Sequence, residues 1–203
     1  MGHGERWYAR CVAPAVRAYF LGLIISILAA TAGCAASGQP SAAWVARAGG
    51  LLADTHQQRA EAAVARLTTG DPQLRVKVHV LATDAVCAFA WPNRTIYVTR
   101  GLMDRADDDV LAAALAHEMG HLLSDGRARS IASLKGCDKN ADAEVQADAY
   151  GVGLLRANHV PANSMARMLR LVCDSNSLAP GCRRAINDRI ELLLTAPATV
   201  PQN

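Results

Sequence analysis

The sequence predicts an α+β fold that is mostly helical and carries a small antiparallel sheet. Three stretches of the 203-residue chain lead to this prediction. Apolar residues recur at helical intervals in 42–67 and in 107–124, whereas strand-type residues, partly alternating with polar ones, fill parts of 76–99. About 170 residues follow the N-terminal apolar segment, enough for one domain with a substantial core. We therefore expect a single domain over residues 44–203.

Residues 1–33 resemble a signal peptide. A stretch with three arginines precedes an apolar run over residues 18–30, which is short for a membrane span. Small residues at 31–33 then precede Cys34, as in the lipobox of bacterial lipoproteins, where the Cys becomes the lipidated N-terminus. We expect lipidation at Cys34 and a tether over residues 34–43. Ordinary secretion with cleavage near Ala36 and an uncleaved signal anchor are the alternatives.

The charge of the chain argues against a nucleic-acid partner. Three of the 21 Lys and Arg residues and one of the 18 Asp and Glu residues precede Cys34, which leaves 18 bases and 17 acids, scattered along the chain. Ala35 and Ala36 provide no acidic retention signal after the Cys. By resemblance to Gram-negative lipoproteins, we expect a lipid-anchored envelope protein that faces the periplasm, on the outer membrane rather than the inner one.

The first half of the domain is predicted to hold a helix and the sheet. The helix covers residues 42–67, with Gly49-Gly50 as a point where it can break or bend. Residues 76–80, 86–90 and 95–99 predict three strands, and a turn at 91–94 joins the last two. An open edge of such a sheet could hold an extended peptide by backbone hydrogen bonds. A plain supporting hairpin is equally compatible with the pattern.

The motif H-E-x-x-H occupies residues 117–121 of the predicted helix 107–124. That amphipathic helix has carboxylates in its first turn, and Gly126 lies just past its end. His117 and His121 are four residues apart and project from one face, so that their ring nitrogens can bind one Zn²⁺ ion. Glu118 lies beside the metal, where it can take a proton from a water molecule.

A catalytic zinc site needs a third protein ligand and one open position. A second helix is predicted from Ala141 to about Ala157, with Asn140 as its N-cap. It carries Glu144 and Asp148, which are four residues apart and share a face. We interpret Glu144 as the third metal ligand and Asp148 as the acceptor of a ligating histidine's free N–H. An exposed acidic helix face is the alternative.

Together these motifs resemble the M48 zinc metallopeptidases, a family with small lipoprotein members and membrane-embedded members. The resemblance covers roughly residues 75–195 and rests on segments 87–90, 95–102 and 108–121 and on the E-x-x-A-D motif at 144–148. It implies a zincin-like domain that binds one Zn²⁺ per chain through His117, His121 and Glu144. It also implies Glu118 as the catalytic base and Asp148 as the carboxylate supporting a ligand.

The same resemblance extends to Arg189 but includes two departures. Arg189 matches an Arg that family members carry near the C-terminus, and it could stabilise an oxyanion or pair with Asp148 or another acid. Cys87 stands where the family usually has Asn, and the usual His-Pro pair before the late Arg is missing. The implied function is a zinc-dependent endopeptidase that hydrolyses envelope polypeptides, with a role in protein quality control.

Two other functions compete with this one. A lipoprotein that binds unfolded polypeptides, with latent or lost proteolysis, is favoured by the missing His-Pro pair. The presence of Glu118 speaks against it, because a binding protein does not need a general base. A protease held shut by residues 125–139, with Gly126 and Gly136 as hinges, is the other.

Four cysteines follow Cys34, and an even number in an exported chain suggests disulfides. We favour Cys173–Cys182, which would close a short loop, and Cys87–Cys137, which would tie the sheet to the loop 125–139. The alternative is Cys87–Cys182, because both departures from the family pattern involve a cysteine.

Overall fold

The structure, a computed structural model, describes residues 40–71, 74–91, 93–123 and 141–195. The helices in these ranges are α1 (Ala42–Arg47), α2 (Thr55–Thr68), α3 (Arg100–Arg105), α4 (Asp108–Leu123), α5 (Ala141–Ala157), α6 (Ser164–Ser175) and α7 (Pro180–Thr195). The strands are β1 (Leu51–Leu52), β2 (Lys77–Leu81), β3 (Ala88–Trp91) and β4 (Thr95–Thr99). The predicted α+β class and the predominance of helix are confirmed.

The sheet is mixed, so the prediction of a purely antiparallel sheet is wrong. Its strand order is β1-β2-β4-β3. The outer pairs are antiparallel, but β2 and β4 run parallel. The hairpin from β3 to β4 places β4 on the inside, next to β2 and in the same direction. Residue alternation identifies a strand but does not identify its neighbour, which explains the error.

The predicted helix over 42–67 is two helices with a short strand between them. Gly49 and Gly50 have φ angles of 86° and 87°, a conformation that favours glycine and ends α1. A Cβ on Gly49 would lie 2.3 Å from the carbonyl oxygen of Ala82. The two glycines therefore let the chain turn tightly beside β2 and add β1 to the sheet.

The two faces of the sheet pack against different partners. Val78, Val80 and Ile96 point into the main core beside α2 and α4. On the opposite face, four side chains form what we call the aromatic cluster: Trp44, Phe89, Trp91 and Tyr97. Helix α1 supplies Trp44 to this cluster, so the N-terminal segment covers the face that the main core leaves open.

Helix α4 is buried on all sides, although the sequence predicts an amphipathic helix. Every residue from Val110 to Leu122 is buried. The cause is that α2, β3, α5 and α6 all pack against it. At its N-terminus the Asp107 side chain accepts a hydrogen bond from the N–H of Val110 at 2.9 Å, which satisfies one free donor of the first turn.

The predicted disulfides of Cys87 and Cys173 are wrong. Both residues are buried and carry thiols. The pairs Cys173–Cys182 and Cys87–Cys137 therefore do not form, and neither does the alternative Cys87–Cys182. Cys87 packs into the cluster under α1. Cys173 lies in the main core, and its Sγ accepts a hydrogen bond from Nη1 of Arg183 at 3.3 Å.

Some predictions lie outside the described residues. These are the signal peptide 1–33 with Cys34, Asn140 as a helix cap, and the loop 125–139 with Gly126, Gly136 and Cys137. Among the helices that the structure describes, none has the length and apolar character needed to cross a membrane.

Candidate metal centre

Helices α4 and α5 bring three potential ligands together. His117 and His121 come from the middle and last turn of α4, and Glu144 comes from the first turn of α5. One ligand atom from each lies within 4.8 Å of the other two. Both histidines are buried, and the Glu144 side chain is 21% exposed. The three residues therefore form a largely buried group in which Glu144 is partly accessible to solvent.

The spacing of these atoms fits a zinc ion. The Nε2 atoms of His117 and His121 are 3.1 Å apart. Oε2 of Glu144 lies 3.4 Å from His117 Nε2, and its Oε1 lies 3.5 Å from His121 Nε2. Ligand bonds of about 2.0–2.2 Å at tetrahedral angles require ligand atoms about 3.3–3.5 Å apart. Two imidazoles and a carboxylate are also a ligand set that catalytic zinc sites use.

Asp148 orients the first histidine. Its Oδ1 lies 2.9 Å from Nδ1 of His117, and both groups are buried. In this contact Nδ1–H of the imidazole donates to the carboxylate, and the ring is held with Nε2 directed at His121 and Glu144. Asp148 thus fixes both the tautomer and the ring orientation that metal binding requires.

Arg189 of α7 joins the two acidic residues of α5. Its Nε and Nη2 donate to the Asp148 carboxylate at 2.7 and 2.8 Å, and its Nη1 donates to Glu144 at 2.9 Å. Both carboxylates therefore bind the guanidinium. Pairing with Asp148 or another acid is one of the two roles that the sequence indicated for Arg189. Bidentate contacts of this kind hold a planar guanidinium in place and stabilise buried carboxylates.

Glu118 lies beside the ligands, between α4 and β3. It is 4% exposed, and the N–H of Ala90 in β3 donates a hydrogen bond to its carboxylate. Its Oε2 is buried and has no hydrogen-bond partner among the described residues. Such an atom needs a partner, and a water molecule or a substrate amide can supply one. Burial, opposed by the charge of His117, raises the pKa of Glu118 to about 7.

The charges of the centre depend strongly on one another. Burial lowers the pKa of His117, but hydrogen bonds to Asp148 and Glu144 outweigh it and raise that pKa to about 10. Burial and the nearby His117 lower the pKa of His121 to about 4. Burial raises the pKa of Glu144, but the hydrogen bond and charge of His117 and the charge of Arg189 lower it to about 2. A carboxylate is therefore ready to bind a cation.

Close packing of α4 on α5 makes this geometry possible. The sequence analysis did not predict this close packing. A Cβ on Gly120 would lie 2.7 Å from the carbonyl oxygen of Ala147, and a Cβ on Gly151 would lie 3.2 Å from backbone atoms of Ala116 and His117. The signal that could have revealed the close packing is a pair of small residues four apart on each helix: Ala116 and Gly120 on α4, and Ala147 and Gly151 on α5. They let the two backbones approach.

Comparison with known proteins gives one family. Residues 51–140 match the family model described as Peptidase family M48. The matched segment includes the sheet and His117, Glu118 and His121, and it ends before Glu144 and Asp148. The assignment of those two residues therefore rests on the distances given above. No curated protein matches the chain significantly.

Proposed function

Residues 51–140 of this chain belong to peptidase family M48, a family of metallopeptidases, and we propose on this premise that the protein is a zinc-dependent endopeptidase. The proposed metal ligands are His117, His121 and Glu144, with one Zn²⁺ per chain. The observation that supports this most directly is the close approach of the ligand groups: the two histidine Nε2 atoms are 3.1 Å apart, and the two Glu144 oxygens lie 3.4 Å from His117 Nε2 and 3.5 Å from His121 Nε2. Two histidines and a carboxylate at this spacing would hold one zinc ion, and three protein ligands would leave a fourth position for water or substrate.

The chemistry divides between the metal and the protein. Bound zinc supplies Lewis acidity, which polarises a scissile carbonyl and lowers the pKa of a water molecule to about 7. Glu118 accepts the proton of the attacking water and later gives it to the leaving amine. Its buried Oε2 lacks a protein partner among the described residues and is the atom that we assign to this transfer. Asp148 and Arg189 keep His117 and Glu144 oriented throughout.

The edge strand β3 is the proposed binding surface for an extended polypeptide. The carbonyl of Cys87 accepts a hydrogen bond from Thr99 N–H. In an antiparallel pair every second residue has its N–H and C=O directed at the neighbouring strand, so the backbone groups of Phe89 and Trp91 face β4. Those of Ala88 and Ala90 therefore face outward, on the side of Glu118. The Ala90 N–H is bonded to Glu118, so an extended chain that pairs with Ala88 and with the carbonyl of Ala90 would lie beside the catalytic carboxylate. Only segments that are unfolded or flexible can adopt this geometry.

The opposite edge of the sheet is protected against such pairing. Strand β1 covers part of β2 but is two residues long. Beyond its end, the Gln57 side chain takes the place of a strand: its Nε2 donates to Val78 O at 2.9 Å, and its Oε1 accepts from Val80 N at 3.0 Å. Among the described strands, β3 therefore offers the longest free edge, which favours it as the substrate strand.

The location and biological role are further proposals. The apolar segment 18–30 and the small residues before Cys34 support a lipid-anchored protein of the cell envelope that faces the periplasm. Ala35 and Ala36, which are not acidic, support the outer membrane rather than the inner one. A preference for unfolded polypeptide segments supports a role in envelope protein quality control. No nucleic-acid partner is proposed, because the charges are nearly balanced and scattered.

Zinc content and casein cleavage, measured on the purified wild type and on Glu118→Gln, test the proposal. We expect one zinc per chain in both proteins and cleavage in the wild type alone, because Gln cannot accept the proton. Zinc in both with cleavage in neither would favour a lipoprotein that binds unfolded polypeptides. Absence of zinc from folded wild-type protein after incubation with zinc would overturn the proposal.

A further inference from the structure

We propose that Trp44 is a positioning residue for the active site, acting through β3 from the opposite face of the sheet. This inference rests on the proposed peptidase function. It assigns to helix α1 the task of holding the substrate strand in place against Glu118. Trp44 itself would contact neither substrate nor metal.

The contacts of Trp44 centre on β3 and its neighbour β4. Its ring centroid lies 5.5 Å from that of Phe89, 5.8 Å from that of Trp91 and 5.8 Å from that of Tyr97. The indole is 2% exposed, and it is the buried residue of α1. Edge-to-face and tilted contacts at these distances are favourable and directional. One side chain therefore fixes α1 on the sheet and contacts two of the four residues of β3.

The position of β3 matters because Ala90, between Phe89 and Trp91, contacts Glu118. Phe89 and Trp91 flank Ala90, whose N–H faces outward and donates to Glu118. A strand with Phe89 and Trp91 anchored from behind cannot rotate or move away from α4. If the anchor were lost, Ala90 N–H would leave Glu118, and the outward groups of Ala88 would lose their alignment. Misplacement of reacting groups by about 1 Å can lower a rate about a hundredfold.

The aromatic cluster is separate from the main core, which makes the role testable. Trp44, Phe89 and Tyr97 belong to one buried group, whereas the residues that pack α4 against α2 and α5 belong to another. Removal of the indole therefore loosens β3 without opening the core that holds His117 and His121. Helix α1 is joined to β1 by Gly49 and Gly50, and Trp44 is its largest side chain in the aromatic cluster, beside Val45 and Ala48.

The test compares Trp44→Ala and Trp44→Phe with Leu67→Ala in the full chain. Leu67 is 1% exposed and belongs to the main core, so its truncation is the control for loss of a buried apolar side chain away from β3. For Trp44→Ala we expect KM for a fluorogenic peptide to rise about tenfold above that of Leu67→Ala, with bound zinc unchanged. Trp44→Phe should restore KM to within about twofold of wild type, because a ring still fills the site. Trp44→Leu serves in place of Trp44→Ala if the latter does not fold.

Hydrogen exchange of the amides at residues 88–91 provides a readout that does not depend on cleavage. We expect exchange at Ala90 to be at least about tenfold faster in Trp44→Ala than in Leu67→Ala. Equal KM and equal exchange in these two variants would overturn the role of Trp44. If the wild type does not cleave peptides, the peptidase proposal fails by itself, and exchange at Ala90 still decides whether Trp44 holds β3.

Discussion

Gly120 and Ala147 are in backbone contact across the interface between the two metal-binding helices. A Cβ on Gly120 would lie 2.7 Å from the carbonyl oxygen of Ala147 and 2.8 Å from its Cα. Gly120 is inside the H-E-x-x-H motif, and Ala147 lies between Glu144 and Asp148 on α5. The distance from α4 to α5 therefore depends on the absence of a side chain at one position next to His121.

Gly120→Ala is expected to weaken zinc binding at least about tenfold, because the new methyl group pushes α5 and Glu144 away from the histidines. Competition with a chelating dye measures the affinity. Gly153→Ala is the matched control, since Gly153 lies on α5 and a methyl group added there would meet no atom of the described residues within 4 Å. That variant should bind zinc normally and gain about 0.5–1 kcal/mol of stability from helix propensity. Equal zinc affinity in the two variants would contradict the packing argument.

Asp148→Asn is expected to lower zinc affinity about 10–100-fold, because a neutral amide holds the Nδ1–H of His117 more weakly and also loses the charge that pairs with Arg189. The same competition assay measures it. Asp142→Asn removes an exposed carboxylate from the same helix and should leave the affinity within about twofold of wild type. A normal affinity in Asp148→Asn would show that His117 is oriented by other contacts.

Arg59→Ala is expected to lower the free energy of unfolding by about 1–3 kcal/mol. The Arg59 guanidinium donates to Met103 O and Ala106 O at 2.6 Å each and to Asp108 at 2.7 Å, so it joins α2 to the connection between α3 and α4. Its loss leaves two carbonyl groups without their donors. Urea denaturation measures the effect.

Arg66→Ala is the control for that measurement. Arg66 also lies on α2 and pairs with an acid of α4, but its side chain is 41% exposed, and its contacts with Asp109 and with His159 O are longer, at 3.1 and 3.4 Å. We expect a loss of about 0–0.5 kcal/mol, as is usual for exposed ion pairs. If the two arginine variants unfold at the same urea concentration, the backbone contacts of Arg59 contribute nothing to stability.

The stabilising effect of His56 is expected to depend on pH. Hydrogen bonding to Asp104 raises the pKa of His56, with burial opposing the shift and Asp54 adding to it. Since the folded-state pKa is raised above the ordinary value of 6.5, the stabilisation is complete below pH 6.5 and is lost as the pH rises through the raised value. The unfolding free energy of wild type should exceed that of Asp104→Asn by about 0.5 kcal/mol at a mildly acidic pH of about 5–6, and the difference should shrink in alkaline solution. A pH-independent difference would argue against a charged His56.

The sequence predicted well what depends on local pattern. The helix around His117 and the helix carrying Glu144 follow from periodicity and capping, and their motifs named the residues that the structure brings together. The parallel pairing of β2 with β4 depends on how the hairpin of β3 and β4 packs beside β2. The alternation of apolar and polar residues along a strand contains no information about this. Likewise, burial of Cys87 and Cys173 as thiols follows from packing, whereas an even cysteine count favoured disulfides. Gln57 acts as a strand substitute only because of its tertiary position.

The protection of one sheet edge by Gln57 also limits how two copies of the protein can associate. Because β1 is short and the Gln57 amide occupies the next backbone groups, sheet-to-sheet pairing between two molecules would have to use β3 of each. Such a dimer would cover the strand beside Glu118 in both copies at once. Self-association by this route and substrate binding therefore exclude each other. At high local concentration, one copy of the protein would compete with substrate for β3 of another copy and so inhibit cleavage.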